Sequence, residues 1–355
     1  MTHQENAPLS VTPGSIRFNT DSMKLEYYRG GPVGFGTTTT TGEWVNITTD
    51  SPDIQTGGTR GLLAGGNAAA PVGDRIDVIN IATTGNATDF GNLTKRRQES
   101  GGFSNTTRAL WAGDSVPLSD NTIDVLEIQS TGNATDFGDL LAATNNAQNL
   151  AGGANATRGV FAGAYQAVTG RVDVMQYVTI ASNGDTFDFG NLDTNRSGCG
   201  GGSGSSTRHI WMGGAAPGNT NTMQFITMST LGNAADFGDL TFTDHSGSGS
   251  SNAVRGIYFV GQEGANSTRT INYVSISTLG DAIDFGDLSV NHYSGASPSS
   301  KTRACYGGGG FPSTTDVIEY VQIMSTGDAI DFGDLTADRN LMMRGNYSNG
   351  HGGLG

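Results

Sequence analysis

Apolar and polar positions follow one order along most of this chain, and that order recurs six times. A unit opens with a run of small residues, such as Ala151-Gly-Gly-Ala-Asn155 or Gly198-Cys-Gly-Gly-Gly202. An arginine follows, heading a short apolar run: Arg60-Gly-Leu-Leu-Ala64, Arg108-Ala-Leu-Trp-Ala112, Arg158-Gly-Val-Phe-Ala162. Arg208, Arg255 and Arg303 open the later copies. Three residues on stands Leu63, Trp111, Phe161, Trp211, Tyr258 or Tyr306, a fixed large side chain that predicts a core position. A further run, Ile76 to Ile81 in the first copy, sets two apolar residues side by side, as in Val78-Ile79 and Tyr177-Val178. Neighbours on a strand point to opposite faces, so the sheet they form is covered on both sides.

Each unit ends on an Asp-Phe-Gly phrase. Its aspartates are Asp89, Asp136, Asp188, Asp236, Asp284 and Asp331, and its phenylalanines Phe90, Phe137, Phe189, Phe237, Phe285 and Phe332, at steps of 47, 52, 48, 48 and 47 residues. A period near fifty means stacked copies of one supersecondary unit. Four short strands per unit, both faces covered and one strand of small residues describe an all-β, six-bladed propeller over 51–355, with the small strand innermost. Helical solenoids need a 3.6-residue period that is absent, and a parallel β-helix repeats in much shorter rungs.

Residues 1–50 stand outside the repeat. Gly14 to Phe18 alternates, Asn19 to Ser22 supplies a turn, Lys24 to Tyr28 returns as a strand, and Glu43 to Ile47 makes a third. Its apolar members Ile16, Phe18, Leu25, Tyr27 and Trp44 are too few to bury themselves. The module therefore attaches or oligomerises the protein, or else rests on the propeller as a flap.

Composition narrows the partners. Fifty-five of 355 residues are glycine, twice the ordinary share of about 7%. With 19 basic against 33 acidic side chains the net charge is −14, which repels nucleic acid and anionic lipid. No apolar run is long enough for a membrane span, and Met1 to Ser10 lacks the order of a signal peptide. Cys199 and Cys305 occupy non-equivalent places and read as buried thiols.

The order of arginine, apolar run, glycine pair, second apolar run and Asp-Phe-Gly-x-Leu resembles the kelch repeat over roughly 57–353. It departs in carrying Phe where kelch repeats usually carry Trp, and several copies lack the second glycine (Ala112-Gly113-Asp114, Val260-Gly261-Gln262). Phrases such as Ser130-Thr-Gly-Asn-Ala-Thr-Asp-Phe-Gly-Asp-Leu140 also look like repeats in virion structural proteins of marine tailed phages. Gly14 to Tyr28, closing with Glu43 to Ile47, resembles a short module of phage tail fibres and appendages. These resemblances imply a virion protein without enzymatic activity, bound to other virion proteins through residues 1–50. They also imply a homotrimer, because phage fibres are often threefold. A glycan-binding receptor protein is the alternative, using the loops that differ most between copies: Gly65–Gly73, Gly113–Thr122, Ala164–Gly170 and Gly261–Thr268.

Chemical motifs are scarce. Asp-Phe-Gly occurs in protein kinases, but no glycine-rich loop, lysine strand or His-Arg-Asp segment accompanies it here. Gly200 to Gly204 lacks the Lys-Ser/Thr of a phosphate cradle, and the five histidines show no metal spacing, so no cofactor is expected. The repeat aspartates hold turns through backbone N–H groups, pair with the repeat arginines that lie 28 to 30 residues ahead, or ring a cation. The arginines in turn act as ion-pair partners or cover apolar surface with their stems. The frame also predicts how the ring closes. The first unit lacks a good small-residue strand at 53–58, whereas the chain ends on a surplus one, Gly345-Asn-Tyr-Ser-Asn-Gly350. Residues 345–350 are therefore expected to pair with Arg60 to Ala64.

Overall fold

In four of the six blades each repeated word becomes one strand, and four words make one antiparallel sheet. The computed structural model describes residues 12, 14–19, 24–30, 42–46, 58–67, 73–113, 121–141, 147–259, 261–263, 266–267, 269–310 and 313–354. Two compact units divide the chain, Met1–Gln55 and Thr56–Gly355.

In the first unit, β1 (Ile16–Asn19), β2 (Lys24–Gly30) and β3 (Gly42–Asn46) form an antiparallel sheet in that order. Ile16 faces Tyr27 and Phe18 faces Leu25 across β1 and β2, while Tyr28 lies opposite Trp44 across β2 and β3. Alternation along a strand thus sends Trp44 to the other face from Ile16, Phe18 and Tyr27. On Trp44's face the Arg17 guanidinium sits 4.3 Å from its ring centre and Arg17 Nε donates to Glu26 at 2.8 Å. Asn19 and Arg17, as donors, hold the Glu26 carboxyl below its ordinary value. The threonine-rich stretch 37–41 lies outside the described residues.

The second unit is a six-bladed β-propeller. Blade 3 shows the pattern: an inner strand Ala151–Ala154, a second Arg158–Gln166, a third Gly170–Thr179 and an outer strand Phe187–Asn191. Blades 2 to 5 are regular four-stranded sheets, whereas blades 1 and 6 each have three regular strands. Blade 6 completes itself with Ser294 to Ser299, held to its second strand by Ala296 and Gly307 exchanging backbone bonds of 3.1 and 3.0 Å. Pro298 has no N–H to extend that ladder, which keeps the segment irregular. Blade 1 borrows its inner strand from the chain end. Leu62 N donates to Tyr347 O at 2.8 Å, Asn349 N to Arg60 O at 3.3 Å, and Met343 N to Ala64 O at 3.2 Å. The expected closure by residues 345–350 is the one observed.

The core lies between blades. Leu62, Ile76 and Phe90 of blade 1 pack with Ala109, Trp111 and Ile128 of blade 2. Leu63, Ile79 and Ile81 of blade 1 pack on its other side with Cys305, Ile318 and Phe332 of blade 6. The fixed large residues Leu63, Trp111, Phe161, Trp211, Tyr258 and Tyr306 are wholly buried. At about 1.5–3 kcal/mol for each fully buried large apolar side chain, these interfaces dominate stability.

Two rings of hydrogen bonds tie neighbouring blades at the end where the first-to-second and third-to-outer turns lie. One involves the arginines. Arg60 Nη1 donates to Ile128 O at 2.9 Å in the next blade, Arg158 to Met228 O at 2.7 Å, Arg208 to Ile276 O at 2.7 Å, and Arg303 closes the circle on Ile81 O at 3.2 Å. Arg108 and Arg255 do the same to Ile180 O and Ile323 O, each at 3.2 Å. Four of these guanidiniums also lie over an aromatic ring of their own blade, at 4.5 Å in the case of Arg208 and Phe225. Expected pairs with the Asp-Phe-Gly aspartates do not form. The aspartates are exposed on the outer strands, where Asp89 and Asp136 accept the N–H of Gly91 and Gly138 across a break in strand register, a β-bulge in place of the expected turn.

The other ring is the Asp-Phe-Gly phrase itself. Phe90 O accepts from Gly132 N in the next blade at 3.0 Å, and Phe137, Phe189, Phe237 and Phe285 do the same at 2.8 Å, before Phe332 O accepts from Gly85 N at 2.8 Å. The phrase glycines need their φ: Gly238, for example, is at +142°, and a Cβ there would strike the Gly280 carbonyl.

Candidate functional site

Antiparallel connection sends the second-to-third hairpins and the outer-to-inner crossings to the opposite end of the propeller. There one residue at or shortly before each inner strand bends into the left-handed region. Glu99, Asn149, Gly198, Ser246, Ser294 and Leu341 have φ between 49° and 66°. Five of the six carry a side chain, a costly conformation that only a strongly constraining neighbourhood maintains. The constraint is a closed annulus of backbone bonds around the axis. Asn149 N donates to Glu99 O at 2.7 Å, Gly198 N to Asn149 O at 2.8 Å, Ser246 N to Gly198 O at 2.8 Å and Ser294 N to Ser246 O at 3.2 Å. Met342 N to Ser294 O and Glu99 N to Leu341 O, both at 2.9 Å, complete the circle.

This annulus floors a recess of about 320 Å3, walled by hairpin residues that include Tyr165, Arg171, Asn219 and Gln262. The wall is tied to the floor, since Gln148 pairs with Tyr165, Ser197 with Ala215 and His245 with Gln262. Arg344 lies behind the lining, fully buried against Asn149 and Gly198. Its Nη2 donates to Asn149 Oδ1 and its Nη1 lies beside Gly198, yet Nε and Nη1 have no hydrogen-bond acceptor. Ser294 Oγ and Arg171 Nε, in two residues that line the recess, are also buried without a partner. Burial pulls the Arg344 guanidinium below its ordinary value, while Glu99 opposes that shift. Burial likewise lowers the His245 imidazole, and Arg344 and Arg171 add to the effect.

The far end of the axis is plugged by the chain terminus. His351 Nε2 bonds Ser104 O at 2.7 Å, and the 3-10 turn Gly352–Leu354 packs between Ala154 and Asn252. Inside, serines link the inner strands of neighbouring blades: Ser203 Oγ donates to Ser250 O at 3.1 Å and Ser299 Oγ to Ser251 O at 2.8 Å.

Sequence reasoning missed a set of buried polar residues on the third strands: Asp77, Asp124, Gln176, Gln224, Asn272 and Glu319. Each accepts the N–H of the residue that follows the Asp-Phe-Gly-x-Leu phrase in the blade before it, as Asp124 does from Thr94 at 3.1 Å. The three carboxylates among them meet basic side chains. Arg97 pairs with Asp124 at 3.0 Å, Arg339 with Asp77 at 2.5 Å, and His292 with Glu319 at 3.2 Å. A signal existed, because the second residue of this word, flanked on both sides by apolar positions, is polar in every copy.

Among the described residues no three His, Cys, Asp or Glu side chains come together as metal ligands, and no helix is long and apolar enough to cross a membrane. Cys199 and Cys305 are buried and unpaired, their thiols pushed up by burial. An open groove of about 670 Å3 beside Arg269 and Thr315 is larger than the recess, but Arg269 is half exposed there and already pairs with Asp287 at 3.8 Å. No protein-family model matches the chain, and no curated protein matches it.

Proposed function

We propose that the protein is a non-enzymatic component of a phage virion, joined to other virion proteins through residues 1–50 and carrying the propeller outward. The observation behind this reading is the open face of the N-terminal sheet, where Ile16 is 63% and Phe18 54% exposed, with Tyr27 at the same face. A three-stranded sheet cannot cover such a face itself, and exposed apolar patches of this kind are association surfaces. Threefold symmetry is the arrangement that fibre-like assembly favours, so the attached form is a homotrimer. Replacing Ile16 and Phe18 together by Glu in the full chain is expected to leave the melting transition of the propeller intact while abolishing self-association and incorporation into particles. Normal incorporation of that variant would refute the attachment role.

A second reading, recognition of a host-surface glycan by the propeller, is favoured by the axial recess. One end of the propeller is built from repeated words, while the other carries hairpins that differ between blades and surround a rigid hollow. Recognition and display are compatible in one molecule. A glycan array probed with the full chain tests it, and binding to no sugar class would remove this reading.

A further inference from the structure

We infer that the axial recess recognises a sugar bearing a carboxylate, of the sialic or uronic acid class, with the acid group above Arg344 and beside Arg171. This rests on the glycan reading and names its ligand. Buried donors without acceptors are rare in folded proteins, and four of those among the described residues, Arg344 Nε and Nη1, Arg171 Nε and Ser294 Oγ, belong to residues that line the recess or lie against its lining. A guanidinium only donates, and a carboxylate only accepts, so the unmet need here is for an anionic acceptor. Charge points the same way. Glu99 and Arg171 border the recess and Arg344 lies buried behind its lining, which sets two guanidiniums against one carboxylate in a molecule of net charge −14. A single confined positive spot in an acidic protein suits one negative charge. A polyphosphate or nucleic acid backbone would meet repulsion at every further phosphate.

Size and lining argue for a sugar over a bare ion. A volume of about 320 Å3 sits at the small end of ligand pockets, enough for a sugar ring and far more than a simple anion fills. Tyr165 and Tyr293 border it, aromatic side chains of the kind on which a sugar ring packs, and Asn149, Asn219 and Ser246 bring amide and hydroxyl groups to its lining. The walls are fixed in advance by the annulus and by the bridges at Tyr165, Ala215 and Gln262, so little ordering accompanies binding.

The test titrates the full chain with N-acetylneuraminic acid, glucuronic acid, galactose and inorganic phosphate, read by ligand-observed NMR. Saturable binding of at least one acidic sugar is expected, with galactose and phosphate much weaker. Arg171→Gln, at the wall, should weaken that binding at least about tenfold without moving the melting temperature. Arg344→Gln should abolish it, and Arg171→Gln carries the test alone if the buried change prevents folding. Galactose binding as tightly as the acids, or acid binding indifferent to Arg171→Gln, would overturn the carboxylate assignment while leaving glycan recognition standing. Phosphate binding as tightly as the acids would also overturn it. Failure of every sugar would remove both.

Discussion

A guanidinium set between its own blade's aromatic ring and a carbonyl of the next blade does two jobs with one side chain. In Arg158 the charge sits 4.7 Å from the Tyr177 ring centre while Nη1 reaches Met228 O at 2.7 Å. The acceptor is neutral, so the interaction is a charge-assisted hydrogen bond and owes little to long-range attraction. Arg158→Met would keep the apolar stem over Tyr177 and lose the bond, costing about 1–2 kcal/mol in chemical denaturation. The cost should be the same at about 0.05 M and 1 M salt, since screening acts on pairs of exposed charges. A penalty that shrinks in high salt would instead indicate an ion pair with an aspartate such as Asp188.

At the scale of the element, the Asp-Phe-Gly phrase is a clasp between blades as much as a strand. Its glycine must hold a positive φ while the next blade's carbonyl passes over it, so Gly238→Ala meets backbone strain and a collision together. We expect a loss of about 3 kcal/mol or more, read from the denaturation midpoint, whereas Gly218→Ala in an open hairpin should change little. This clasp explains what was legible beforehand. Strand words, their phase, the six interfaces and the closure by 345–350 follow from side-chain pattern, because packing between blades demands the same residue types in each copy. The arginine partners were not legible. The near-constant spacing of arginine and aspartate, as from Arg158 to Asp188, suggested a pair, but the true acceptor is a main-chain carbonyl, which every residue possesses. The axial annulus was invisible for the same reason. Glu99, Asn149, Ser246 and Leu341 share a backbone conformation and backbone bonds, and share no side-chain chemistry for a repeat to display.

For the whole molecule, stability depends on one seam. A propeller is a closed cycle of interfaces, and here the cycle is completed by the last residues of the chain threading down the axis beside blade 1. Two histidines guard the far end of that thread. Burial pushes His209 down to about 3, with His351 adding to the effect, and pushes His351 down to about 4. Both are therefore neutral in the folded protein, while an unfolded chain protonates them near 6.5. A depressed histidine contributes its full stability above the unfolded value and loses it as pH falls towards the folded value. The loss runs at roughly 1.4 kcal/mol per histidine for each pH unit below 6.5. His245, lowered as well, acts in the same sense, so the decisive comparison is between variants. Melting temperature should be flat from about pH 8 to 7 and fall steeply by about pH 5. His351→Gln should lower stability at pH 7, because the bond to Ser104 O is disturbed, and should make the acid slope shallower. A slope identical to that of the parent protein would show that acid opens the ring somewhere other than its seam.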